Sequence, residues 1–147
     1  MNPLPTETRD LEIRSFREAD EGAVVKLWLE AFSGDPPWNE PVEVVRRKLG
    51  VQRDLFLVGE YRGRIVAAVV AGFDGFRGWV YHLAVESTDR RRGFGRAMMV
   101  AAEARLRELG CPKINLQVRT SNVEVIQFYR ALGYTVEERV SMSKRLE

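Results

Sequence analysis

Apolar and β-branched residues alternate with polar ones, or run together, in six short segments, and both patterns are typical of strands. These segments are residues 11–16, 55–61, 64–73, 79–85, 113–118 and 140–146. Only Arg62-Gly63 separates the second segment from the third. That pair suits a tight hairpin turn, because glycine readily takes a positive φ. A β-hairpin is therefore predicted in the first half of the chain.

Apolar residues recur at helical spacing in four other places, where helices are predicted. Asp20 is predicted to cap a helix that runs to about Phe32, and a second helix follows over residues 42–49. A third ends at Gly110 and a fourth, preceded by Ser121 and Glu124 at capping-box spacing, begins near residue 122 and ends at Gly133. The apolar faces of the last two helices are Met98, Ala102, Leu106 and Leu109, and Val125, Phe128, Tyr129 and Leu132.

The order of these elements is one strand, two helices, three strands, a helix, a strand, a helix and a closing strand. Such an order predicts an α/β fold, with a mixed sheet and crossover helices. The length of 147 residues suits one domain with a hydrophobic core. We expect residues 1–10, which are polar and contain prolines, to form a flexible tail, and residues 11–147 to form a single domain.

Composition excludes several classes of protein. The net charge is only +2, from 23 basic and 21 acidic side chains, which argues against nucleic-acid or membrane binding by bulk charge. No apolar run reaches transmembrane length, and the amino terminus lacks the apolar stretch of a signal peptide. Cys111 is the only cysteine and His82 the only histidine, so we expect a cytoplasmic protein without disulfides or a metal site.

The segment DRRRGFGRAMM, Asp89 to Met99, combines three consecutive arginines, two glycines and the predicted start of a helix. A helix start presents unpaired N–H groups and the positive end of the helix dipole, and glycines let an anion approach the backbone. A Walker loop is excluded, because no Gly-Lys-Ser/Thr follows, and Met98 replaces the third glycine of a Rossmann motif. Taken alone, the segment fits a phosphate site and a solvated basic turn about equally.

The surrounding order of motifs resembles the GCN5-related N-acetyltransferase (GNAT) family. The residues that carry this resemblance are Leu83-Ala84-Val85, Arg90-x-x-Gly93-x-Gly95, Asn122, Phe128-Tyr129 and Leu132-Gly133-Tyr134. Within the family the chain is similar to a compact bacterial subgroup that has the segments seen here at residues 72–78 and 110–114. The resemblance implies a central mixed, mostly antiparallel sheet of six to seven strands, about four flanking helices, and splayed fourth and fifth strands.

The resemblance also implies acetyl-CoA as cosubstrate, with its pyrophosphate on the backbone N–H groups of the loop and its pantetheine arm along the fourth strand. The residues so assigned are Leu83, Ala84, Val85, Arg90, Arg91, Arg92, Gly93, Phe94, Gly95, Arg96 and Asn122. One position departs from the family pattern, because Ser87 stands where many members have proline. That departure leaves the phosphate-binding residues in place.

Acetyl transfer to an amine needs a proton acceptor for the amine, a donor to the oxyanion and a proton for the departing thiolate. The resemblance implies direct attack by the amine and assigns the thiolate's proton to Tyr129, although periodicity alone would place Tyr129 in the core. A backbone N–H near Val85 is implied as the oxyanion donor. His82 is one candidate base. Glu86, Asp74, Glu124 or a chain of waters are the alternatives.

The resemblance places the acceptor at the loop between the first two helices, residues 32–43, where carboxylates lie near Trp38 and would suit a cationic amine. A proline-stiffened surface loop is the other interpretation. The predicted function is N-acetyl transfer from acetyl-CoA to a small-molecule, peptide or protein amine. The alternative is a non-catalytic module that binds CoA or acyl-CoA. A homodimer formed through the closing strand is compatible with the sequence.

Overall fold

The structure is a computed structural model that describes residues 6–146. Its contacts divide the chain into two compact units, Met1–Leu116 and Gln117–Glu147, and each is described by itself. The first unit holds the sheet and four helices. The second holds one helix and the carboxyl-terminal segment.

The strands of the first unit are β1 Glu12–Ser15, β2 Phe56–Tyr61, β3 Arg64–Phe73, β4 Gly78–Val85 and β5 Ile114–Asn115. Its helices are α1 Thr6–Arg9, α2 Glu21–Ala31, α3 Pro41–Leu49 and α4 Phe94–Glu108, and the second unit contains α5 Val123–Ala131. Single 3₁₀ turns cover Glu18–Asp20, Pro37–Asn39, Arg53–Leu55 and Ser87–Asp89. The predicted mixed α/β fold is thus confirmed.

The five strands lie in the order β1-β2-β3-β4-β5. The first four pair antiparallel, and β5 runs parallel to β4. The predicted hairpin joins β2 to β3, and both of its turn residues have positive φ, 51° at Arg62 and 76° at Gly63. That combination defines the type of turn whose twist matches the two strands it connects.

Alternate residues of β2 pack against different helices. Phe56 and Val58 belong to the core cluster that includes Trp28 of α2. Tyr61 lies at an odd-numbered position of β2, on the opposite face from Phe56 and Val58. Its ring centroid is 5.0 Å from that of Phe94 at the start of α4. Because side chains alternate across a strand, the two helices cover opposite faces of the sheet. The near-continuous apolar sequence of β2 and β3 follows from burial on both faces.

The strand count differs from the prediction. The described residues form five strands rather than six or seven, because β5 covers only Ile114–Asn115 and residues 140–146 form no strand. A strand forms where its backbone pairs and its apolar face is covered. Val140 and Met142 are 86% and 89% exposed, so their alternation with polar residues corresponds to no buried face.

Smaller corrections concern helix ends and faces. Leu109, predicted on the buried face of α4, is half exposed because it is the residue that ends the helix. Asn122, rather than Ser121, is the N-cap of α5. At the amino terminus, Thr6–Arg9 forms a helical turn with Thr8 buried, although this stretch was predicted within a flexible tail. The first five residues of that tail lie outside the described residues.

The pairing between β4 and β5 in the first unit is short. β4 pairs with β5 at only two positions, Gly78 with Ile114 and Trp79 with Asn115. From there β4 continues to Val85, paired with β3 on one side and without β5 on the other. Because β5 ends at Asn115, one edge of the carboxyl-terminal half of β4 has no β5 partner among the described residues.

Candidate active site

A left-handed turn precedes α4. Arg91 has φ 68° and Gly93, the N-cap of the helix, has φ 83°. The first helical bond runs from the N–H of Ala97 to the carbonyl of Gly93, at 3.0 Å. The N–H groups of residues 94–96 therefore face away from any intrahelical acceptor, at the positive end of a 15-residue helix. With no side chain at the cap, this turn has the geometry of an anion site.

The arginines before this turn do not share one role. We use the name arginine loop for residues 89–93. The guanidinium of Arg92 turns inward, where it donates to the hydroxyl of Tyr61 at 3.1 Å and lies over that ring. Arg90, Arg91 and Arg96 are exposed. The side chains of these three arginines thus lie at the surface, whereas the side chain of Arg92 fastens the loop to the sheet.

Two residues that the sequence analysis did not single out hold the arginine loop. Asp89 is buried, with its carboxylate 3.6 Å from Arg64 and 4.0 Å from Arg92. Thr8, also buried, donates its hydroxyl proton to the carbonyl of Arg92 at 2.8 Å. The pair of Asp89 with Arg92 spans only three residues, but the contacts of Asp89 with Arg64 and of Thr8 with Arg92 join distant segments, so local spacing does not reveal them. They fix the loop's conformation before any ligand arrives.

A β-bulge lies in the middle of β4. The register between β3 and β4 shifts between Ala68 and Val70, which leaves one extra residue on β4, and His82 takes φ 55° there. The carbonyl of His82 accepts a hydrogen bond from the indole N–H of Trp28 at 3.0 Å. Leu83, Ala84 and Val85, assigned by resemblance to the pantetheine arm, follow this bulge directly.

A cavity of about 260 Å³ lies beside the bulge, and we refer to it as the acceptor cavity. It is lined by α2, by the connection from α2 to α3 and by His82. The residues on its wall are Trp28, Leu29, Phe32, Ser33, Asp35, Pro36, Pro37, Asn39, Glu40, Pro41 and His82. Most residues of the predicted acceptor segment, residues 32–43, thus line the cavity. Trp38, singled out in that segment, is not among the lining residues and is 47% exposed.

The imidazole of His82 contacts two aromatic rings. One belongs to Trp28 of α2, and the other to Phe32, the residue that follows α2. Its centroid is 5.0 Å from that of Trp28 and 5.4 Å from that of Phe32, which meets it edge-on. Its Nε2 is buried and has no hydrogen-bond partner among the described residues. Burial lowers the pKa of His82 and the negative charge of Asp35 opposes that shift, so the ring is neutral at neutral pH.

The remaining candidates lie in the second unit. The side chain of Asn122 accepts from the N–H of Val125 at 3.4 Å, which caps α5. Tyr129 is half buried, with Phe128 and Tyr134 edge-on at 5.0 and 5.6 Å. Burial raises the pKa of Tyr129 to about 12, so its phenol keeps its proton at neutral pH.

Cys111 lies where α4 has ended, at the opposite end of that helix from Gly93. Its Sγ contacts the carbonyl of Lys113 at 3.3 Å. Among the described residues, no group of three or more His, Cys, Asp or Glu side chains could hold a metal ion. No helix in residues 6–146 is both long and apolar enough to cross a membrane.

Comparison with curated proteins gives close relatives over almost the whole chain. An acetyltransferase of Pectobacterium atrosepticum is 43% identical over 136 residues, which cover 92% of this chain and 96% of the relative. An N-acetyltransferase of Yersinia pestis is 41% identical with the same coverage. These relatives are named acetyltransferases, and none of these names describes a binding module.

Solved structures share the fold. Ard1 from Thermoplasma volcanium is 25% identical, with a TM-score of 0.75 over 87% of this chain and 84% of that one. The aminoglycoside N-acetyltransferase AAC(6')-Iy, solved with a CoA-containing bisubstrate analogue, has a TM-score of 0.76 over 92% of this chain and 97% of that one. At 16% identity, the second likeness concerns the fold alone.

The motifs at the arginine loop, the bulge of β4 and the close relatives agree with a match to the sequence pattern of the Acetyltransferase (GNAT) family over residues 15–134. The chain therefore belongs to the acetyltransferase (GNAT) family and is an acyltransferase that uses acetyl-CoA.

Proposed function

We propose that this acetyltransferase binds the pyrophosphate of acetyl-CoA at the amino terminus of α4 and transfers the acetyl group to an amine held in the acceptor cavity. The observation that carries the proposal is the turn at Gly93, whose φ of 83° and missing side chain open the first N–H groups of α4 to an anion. Exposed Arg90, Arg91 and Arg96 add positive charge there.

The pantetheine arm would lie along Leu83, Ala84 and Val85. This stretch of β4 pairs with β3 on one side, and β5 pairs with β4 only at Gly78 and Trp79, which supports an added strand-like partner on the other side. A ligand in that position runs from the arginine loop toward the bulge at His82. Its thioester would then reach the edge of the acceptor cavity.

In the proposed reaction the neutral amine attacks the thioester carbonyl carbon directly. The new C–N bond forms, the C–S bond breaks, and a backbone N–H near Val85 stabilises the intermediate oxyanion. The amine nitrogen releases one proton to water, and the departing thiolate takes one from Tyr129. The phenolate of Tyr129 then regains a proton from water, so the turnover balances. Asn122 is proposed to bind the pantetheine arm. The roles of Tyr129 and Asn122 are proposed because these residues match the family motif.

Gly93→Ala tests the phosphate site, with Gly110→Ala as a matched control at the other end of the same helix. The two glycines have φ 83° and 82°, so both substitutions carry similar backbone strain, and an added Cβ at Gly110 meets no atom within 4 Å. We expect Gly93→Ala to weaken acetyl-CoA binding in calorimetric titration at least tenfold, and Gly110→Ala to leave it unchanged. Equal affinity of the two folded variants would refute the proposed site.

A further inference from the structure

We propose that residues 136–146 are an interaction segment, which pairs antiparallel with the same residues of a second copy of this chain and has Ser141 on the twofold axis. The proposal concerns assembly, so it does not depend on the proposed function. It gives a partner of stated sequence to a stretch that forms no strand within its own chain.

The interaction segment lies at the surface of the second unit. All of its residues are exposed, and it forms neither helix nor strand. Val140, Met142 and Leu146 are large apolar side chains, and each is at least 86% exposed. Single exposed apolar residues are ordinary, but a set of them in one short segment is typical of a surface that meets another protein chain.

In extended conformation the interaction segment has two unlike faces, because side chains alternate across a strand. The even-numbered face carries the apolar residues and one charge of each sign. The odd-numbered face carries only polar side chains, and Gln117 donates to Oγ of Ser141 there at 2.6 Å. The members of the even-numbered face are Val136, Glu138, Val140, Met142, Lys144 and Leu146.

The sequence of the interaction segment is complementary to its own reverse. In antiparallel pairing centred on Ser141, apolar side chains lie opposite apolar ones and carboxylates lie opposite cations. A twofold axis repeats every pair, which is the property of an interface between identical chains. Such cross-strand pairs stabilise a sheet. The pairs are Val136 with Leu146, Glu137 with Arg145, Glu138 with Lys144, Arg139 with Ser143, and Val140 with Met142.

Other registers lack this complementarity. A shift of two residues keeps the two faces but sets Lys144 opposite a valine, Val136 in one direction and Val140 in the other. Parallel pairing in register sets Glu138 against itself and Lys144 against itself. Like charges directly opposite each other destabilise paired strands. The pattern of charges and apolar residues therefore selects one antiparallel register.

A second copy is the partner that this pattern favours, because both halves of every pair come from the same sequence. Two strands alone are only marginally stable in water, so the dimer should be reversible and depend on concentration. Its ion pairs lie at the surface, where salt screens them. We therefore expect the dimer to weaken as the salt concentration rises.

Exchange of charge at one pair tests the register. Size-exclusion chromatography with light scattering should show a wild-type dimer at low salt. Glu138→Lys alone and Lys144→Glu alone should each weaken the dimer at least tenfold, since each variant sets like charges opposite each other twice. An equimolar mixture of the two should recover the wild-type affinity, because both pairs then join opposite charges. Glu30→Lys, at an exposed glutamate of α2, controls for the change in net charge.

Disulfide trapping locates the twofold axis. In a Cys111→Ala background, Ser141→Cys should link two chains on mild oxidation, because opposite residues of antiparallel strands have Cα atoms about 4.5–5.5 Å apart. Ser143→Cys is the matched control. Its two copies would lie four residues apart along the paired strands, which at about 3.3 Å per residue is too far for a disulfide.

Three results would overturn the proposal. The first is a wild-type protein that stays monomeric up to a concentration on the order of 1 mM, as expected if the segment pairs within its own chain. The second is a dimer that both single exchanges leave intact. The third is equal cross-linking of Ser141→Cys and Ser143→Cys. Circular dichroism checks that each variant is folded, and a misfolded variant could not regain affinity on mixing.

Discussion

The indole N–H of Trp28 donates to the main-chain carbonyl of His82 at 3.0 Å, across a sequence separation of 54 residues. Trp28 is completely buried in α2, and His82 occupies the bulge of β4. Trp28 is also among the residues that line the acceptor cavity. One side chain therefore anchors the strained residue of the strand and shapes the proposed substrate site.

Trp28→Phe should weaken both features. Phenylalanine keeps an aromatic ring but leaves the carbonyl of His82 without its donor, so we expect the free energy of unfolding to fall by about 1–3 kcal/mol. Urea denaturation followed by circular dichroism measures this change. Trp38→Phe, at a half-exposed tryptophan, serves as the matched control and should have a clearly smaller effect. Equal losses in the two variants would show that the bond to His82 contributes nothing.

Thr8→Val tests the support of the arginine loop from the amino-terminal helix. Valine has nearly the same shape as threonine, but it cannot donate to the carbonyl of Arg92, which the Thr8 hydroxyl reaches at 2.8 Å. We expect several-fold weaker acetyl-CoA binding in calorimetric titration, because the loop is no longer fixed before binding. Thr135→Val, at an exposed threonine, should leave the affinity unchanged. Wild-type affinity in Thr8→Val would remove Thr8 from this role.

Gly78→Ala should destabilise the start of β4. A Cβ at Gly78 would lie 2.8 Å from Sγ of Cys111 and 3.1 Å from Cδ1 of Leu106, so the end of α4 must shift. Overpacking of this kind costs about 1–3 kcal/mol, measurable by denaturation. Adding Cys111→Ala should recover part of the loss. By contrast, Gly22→Ala meets no atom within 4 Å and should stabilise α2.

Tyr129→Phe should reduce kcat about 100-fold and change acetyl-CoA affinity less than twofold, if the phenol protonates the departing thiolate. Because burial raises the pKa of Tyr129 to about 12, the phenol stays protonated below that pH. The wild-type rate should therefore show no alkaline loss from this residue near pH 10, where an ordinary tyrosine titrates. An unchanged kcat in the variant would exclude Tyr129 as the proton donor.

Asp20 gives the fold a pH-dependent contribution. Burial opposes its ionisation, but hydrogen bonds from Arg14 at 2.8 and 3.0 Å and from the N–H of Arg17 outweigh burial, so its pKa is lowered. A lowered pKa stabilises the fold above the unfolded value and loses that stabilisation as the pH falls through the folded value. Asp20→Asn should therefore lose stability at pH 7 and approach the wild type under acid conditions. A constant difference across that range would contradict the assignment.

Local sequence accounts for much of the fold. Arg62-Gly63 predicts the hairpin because positive φ is a property of the residues themselves, and the glycines at 110 and 133 end helices for the same reason. The alternation of apolar and polar residues over residues 140–146 predicted a strand, and this prediction was wrong, since Val140 and Met142 remain exposed. An apolar residue at every second position shows that a segment could cover a core as a strand. The strand forms only if a neighbouring strand also pairs with its backbone.

The sequence by itself determined the turn before α4, because Gly93 and the helix that it caps are adjacent in the chain and their geometry is local. Only the tertiary structure decided which arginine points inward, since Arg92 meets Tyr61 from a distant strand. The support from Thr8 and the position of His82 beside α2 depend in the same way on contacts between distant segments. Neighbouring residues determine local conformational preference, but burial and long-range hydrogen bonds exist only once the chain has folded.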